Sequence, residues 1–109
     1  MEAIVVGYWS PSPDDDQLPY PHASPGAWER QDEFVAKLRL IEQAVRNGRC
    51  GRLIAYRGFS MCRLCGKPNG HEEFDHGGYR WPSGLLHYVE HHNVRLPSDF
   101  IDKTLRSEA

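Results

Sequence analysis

CRLCGKPNGHEEFDHGGYRWPSGLLHYVEH, residues 62–91, opens with two cysteines separated by two residues and closes with two histidines separated by three. A structural zinc ion takes four nitrogen or sulfur ligands in a tetrahedron, and two such pairs are the common way for a short chain to supply them. The spacing therefore predicts a Zn2+ site built from Cys62, Cys65, His87 and His91. Two residues between the thiols place both sulfurs on one side of a tight turn. Gly66 after the second cysteine allows the positive φ that such turns need. On a helix, His87 and His91 lie one turn apart on the same face, away from Leu85, Leu86 and Val89. His92 falls about 140° from His87 around a 3.6-residue helix and is the poorer choice, while His71 is an alternative donor beyond the knuckle. Cys50 lies outside the pattern and reads as a buried thiol.

Working outward, Pro68-Asn69-Gly70 and Asp75-His76-Gly77-Gly78 are turn sequences, so 71–74 and 79–81 are expected to pair as a hairpin. Ser83 is placed to cap a helix over 84–92. Asn93 would stop that helix, and a last helical segment follows Ser98 or Asp99, with Phe100, Ile101, Thr104 and Leu105 facing inward. Upstream, Phe34, Leu38, Ile41 and Val45 recur at helical spacing and predict a helix from Trp28 to Asn47. Residues 3–9 and 52–57 have the β-branched and aromatic content of strands. Between them, 10–27 hold five prolines and the run Asp14-Asp15-Asp16, and read as a surface loop with His22 exposed.

The expected fold is therefore α+β: a long N-terminal helix on a small sheet, with a metal module of knuckle, hairpin and helix in the C-terminal half. A single domain of 109 residues would divide into 1–57 (strand, loop, helix, strand), 58–97 (the metal module) and 98–109 (C-terminal helix). That module resembles a treble-clef zinc finger. Its interval of 21 residues between Cys65 and His87 exceeds the roughly 12 of DNA-reading Cys2His2 fingers, so their base-reading logic does not carry over. The patterns GFSMCRLCG and WPSGLLHYVEHHNVRLP also resemble a group of small uncharacterised bacterial proteins, which implies a bacterial source and no particular activity.

The formal charge of −2 gives no global field toward nucleic acid or membranes. Locally, six basic residues from Arg46 to Lys67 are uninterrupted by an acid. Arg52, Arg57, Arg63 and Lys67 among them, with Tyr56 and Phe59 interleaved, are the candidate nucleic-acid contacts. No stretch approaches the roughly 18 apolar residues of a membrane span, and MEAIVVGYWS lacks the features of a secretory signal. With an odd cysteine count, this favours a reducing, cytoplasmic setting over a disulfide framework. The favoured reading is a structural zinc site in a protein or nucleic-acid interaction module, with enzymatic activity left open. The alternative is a metal-dependent hydrolase. Asp75-His76 in a knuckle–hairpin–helix setting resembles the HNH nucleases, which implies His76 as the base with His87 or His91 on the metal, although the asparagine expected before the helix is missing.

Overall fold

Phe34, Leu38, Ile41 and Val45 form one fully buried stripe along α1, Gln31–Arg46, and this stripe organises the core. A computed structural model of the chain describes residues 4–7, 21, 23–55 and 61–107. The other described elements are β1 (Ile4–Val5), β2 (Arg52–Ala55), β3 (Glu72–His76), β4 (Tyr79–Pro82), α2 (Leu85–His92) and α3 (Ser98–Arg106). The architecture is mixed α+β, with a four-stranded sheet and three helices. The loop positions Asp14–Asp16 and His22, and the candidate contact Arg57, lie outside the described residues.

Sheet order is β1-β4-β3-β2. β3 and β4 form the expected antiparallel hairpin, closed by a two-residue turn at Gly77-Gly78, with His76 opposite Tyr79 and Phe74 opposite Trp81. β2 adds antiparallel to β3, placing Arg52 opposite Asp75. β1 adds parallel to β4, which local sequence signals do not reveal. Pro82, at the end of β4, lies past the β1 pairing and so removes no ladder donor needed there.

α1 begins three residues later than the sequence predicts. Arg30 has φ 63°, a left-handed conformation that cannot continue backwards as helix. Trp28 is released to pack its ring 5.6 Å from Phe34 and to donate its indole N–H to the Val94 carbonyl at 3.2 Å. Ser83 does not cap α2 either. Its hydroxyl accepts from the Glu72 N–H at 3.2 Å and its own N–H donates to the Glu72 carbonyl at 2.8 Å, so it extends the hairpin ladder and Gly84 takes the N-cap position.

Phe74, Trp81 and Phe100 are fully buried, with Trp81 5.7 Å from Phe74 and 5.5 Å from Phe100 between ring centroids. α3 covers this cluster through Phe100, Ile101 and Thr104, while Leu105 is half-buried. None of the described helices is long and apolar enough to cross a membrane.

A polar contact meets the core at Trp81. The Trp81 indole donates to the Glu42 carboxylate at 2.9 Å. Burial pushes the Glu42 carboxyl up to about 7 against the opposing pull of that hydrogen bond, Arg46 and Arg39. Between about pH 4.5 and 7 the folded chain thus holds a proton that the unfolded chain has released. Stability attributable to Glu42 falls as pH rises through that window, by on the order of 1–3 kcal/mol once its partial exposure is considered. Urea unfolding of wild type and Glu42→Gln should give equal stabilities near pH 4 and a more stable variant at pH 8. A difference that does not change with pH would refute this account.

Candidate metal centre

The residues from Met61 to Pro68 fold back on themselves, and these two ends form an antiparallel bridge. Inside the loop, the Cys62 N–H donates to the Lys67 carbonyl at 2.9 Å and the Gly66 N–H to the Cys62 carbonyl at 2.9 Å. Gly66 has φ 74°, the left-handed turn that its position after Cys65 predicts. The Leu64 N–H points at Cys62 Sγ at 3.4 Å.

Two contacts seat this knuckle on α2. The Arg63 N–H donates to the Tyr88 hydroxyl at 2.8 Å. Gly84, just ahead of α2, lies so close to Asn69 that a Cβ there would sit 2.2 Å from the Asn69 carbonyl oxygen, so only glycine lets the chains approach. Leu85, Leu86, Tyr88 and Val89 anchor the helix in the core.

With both elements fixed, the donor atoms of Cys62, Cys65, His87 and His92 all lie within 4.8 Å of one another. Cys62 Sγ is 3.5 Å from His92 Nε2, and Cys65 Sγ is 3.3 Å from His87 Nε2. For zinc, with bonds of about 2.3 Å to sulfur and 2.0–2.1 Å to nitrogen, a tetrahedral S···N edge is about 3.6 Å. The four side chains are thus spaced to hold a metal ion.

Three of the four positions expected from the sequence belong to this group. The fourth is His92 and not His91. His91 is exposed and stacks its ring on His87 at 4.7 Å, outside the group. The expectation assumed that a ligand histidine must avoid the apolar stripe. Cys62, however, is itself buried in the core, at 2% exposure, and it is reached from the buried side of the helix. Taking His87 as zero, Tyr88 lies near 100°, His92 near 140° and Leu85 near 160°, whereas His91 lies near 40° on the solvent side. His87 and His92 straddle Tyr88, and their four-residue gap is within the three to five that zinc sites use. That spacing, HYVEHH, was the signal available. His71 is exposed and outside the group, as is Cys50, half-buried against the core.

Burial foremost, and then the neighbouring His91, His92 and Lys67, lower the His87 pKa. This favours the neutral imidazole that a metal requires. Burial also raises the Tyr88 hydroxyl, keeping it the protonated partner of the knuckle.

His76 stands elsewhere, at the turn end of β3, with Nδ1 3.1 Å from Lys103 Nζ on α3. Burial, then Lys103, lowers its pKa. Of the candidate nucleic-acid contacts among the described residues, Arg52 lies on β2 and Arg63 and Lys67 on the knuckle. Arg52 pairs with Asp75 at 3.1 Å, a carboxylate that also takes Arg80 at 3.3 Å, and nearby Arg46 pairs with Glu72 at 2.6 Å. Arg63 and Lys67 are exposed on the knuckle. No family model matches the chain, and neither a curated protein nor a solved structure does.

Proposed function

We propose that the protein is a small zinc-binding interaction module whose metal is structural, held by Cys62, Cys65, His87 and His92 in a treble-clef-like order of knuckle, hairpin and helix. The observation that carries the reading is the convergence of those four donors within 4.8 Å. Four protein ligands fill a tetrahedron and leave no position for water or substrate, which favours scaffold over catalyst. The separation of His76 from the four donors speaks against the HNH-like alternative. A protein surface is the favoured partner over nucleic acid, because Arg46 and Arg52 are engaged by acids of β3. In a reducing interior two such thiolates would persist as ligands.

The deciding experiment compares two adjacent histidines. Protein purified without added metal should carry about one zinc per chain. His91→Ala should keep it, whereas His92→Ala should bind more than about a hundredfold more weakly, exceeding the loss typical of groups that merely orient a ligand. Equal zinc contents in the two variants would overturn the assignment.

A further inference from the structure

The two thiols of the metal centre are unequally protected. Cys62 is 2% exposed, belongs to the hydrophobic core and faces the Leu64 N–H. Cys65 is exposed, and among the described residues its hydrogen-bonding partner is the half-exposed His87. On the same side His91 is exposed, and the knuckle carries the exposed cations Arg63 and Lys67 two residues either side of Cys65. An accessible sulfur is where an oxidant arrives first, and N–H contacts and apolar packing slow attack at the other.

Resting on the zinc reading above, we infer that Cys65 is the point at which a peroxide-class oxidant enters the centre, and that its conversion to a disulfide with Cys62 discharges the ion. The Cys65 thiolate attacks the O–O bond of hydrogen peroxide. Its sulfur loses two electrons and becomes a sulfenic acid, and the leaving hydroxide takes a solvent proton to form water. The Cys62 thiolate, within 4.8 Å, then attacks that sulfur. The S–O bond breaks, a second hydroxide leaves and is protonated to water, and an S–S bond forms. In sum two thiolates, one peroxide and two protons give one disulfide and two waters. Zinc is left with His87 and His92 alone and dissociates. A thiol reductant and zinc reverse the change, making the centre a reversible oxidant-sensitive site.

The test uses the full chain carrying Cys50→Ser, which removes the one thiol outside the group. Zinc content is measured first, and then zinc release to a chromogenic chelator is followed during hydrogen peroxide treatment, with peptide mapping of the thiols. Zinc should appear in step with a Cys62–Cys65 disulfide, about one ion per bond, and dithiothreitol with added zinc should restore the starting state. Cys65→His, which keeps a ligand at that position, should release zinc at least about tenfold more slowly. Zinc retained while peroxide is consumed, or equally fast release from Cys65→His, would overturn the inference and leave the metal assignment standing. Protein that holds no zinc at the outset would overturn both.

Discussion

Cys62→Ser should lose the metal and destabilise the C-terminal half, with the largest effect of any single substitution at the centre. The serine hydroxyl is a poor zinc ligand, and three remaining donors cannot close the tetrahedron. Cys62 Sγ also lies in the core beside Leu64 and His92, so the change places a smaller, more strongly solvated hydroxyl at a buried position. A ligand present at about a thousand times its dissociation constant stabilises the folded state by about 4 kcal/mol, and that contribution disappears with the site. In a domain of this size the loss corresponds to a fall in Tm of about 15 °C or more. Thermal unfolding with and without a chelator should separate wild type, which responds, from Cys62→Ser, which does not. A variant that still shifts with chelator would refute the ligand role.

Trp81→Ala is the largest expected effect away from the metal. The ring is fully buried between Phe74 and Phe100, and its removal should cost about 3–5 kcal/mol in transfer and cavity terms. It also deprives the half-buried Glu42 carboxylate of its indole donor. Because that carboxyl is ionised only above about pH 7, the second part of the loss should grow from pH 5 to pH 8. Trp81→Phe restores much of the volume and none of the hydrogen bond, so denaturant titrations of the two variants at both pH values separate packing from polarity. Equal stability of wild type and Trp81→Ala would exclude Trp81 from the core.

Both effects involve residues whose environment the sequence announces unequally. The stripe Phe34, Leu38, Ile41 and Val45 was legible because helical period and burial coincide along one face. The hairpin turn at Gly77-Gly78 was legible because turn chemistry is local. The pairing of β1 beside β4 was not, since a parallel neighbour depends on distant chain. Nor was the exchange of His91 for His92. The period told which face each histidine occupies, but the depth of Cys62 decides which histidine meets the cysteines, and depth is a tertiary property. Ser83 shows the same competition, as its capping chemistry was diverted by a nearer N–H on Glu72.

Gln31 sits buried at the start of α1, and its side chain accepts from the Trp28 N–H at 3.1 Å and donates to the Val89 carbonyl at 3.1 Å and the Asn93 amide oxygen at 3.0 Å. The Ser24 N–H meets the His92 carbonyl at 3.1 Å. The final turn of the histidine-bearing helix is thus completed by chain that precedes the knuckle by some thirty residues. Residues 58–97 are consequently not a portable finger in the manner of tandem DNA-reading repeats. Grafted alone, they would carry all four donors and forfeit the amide that keeps His92 in place, so this centre is inherited with its whole scaffold or not at all.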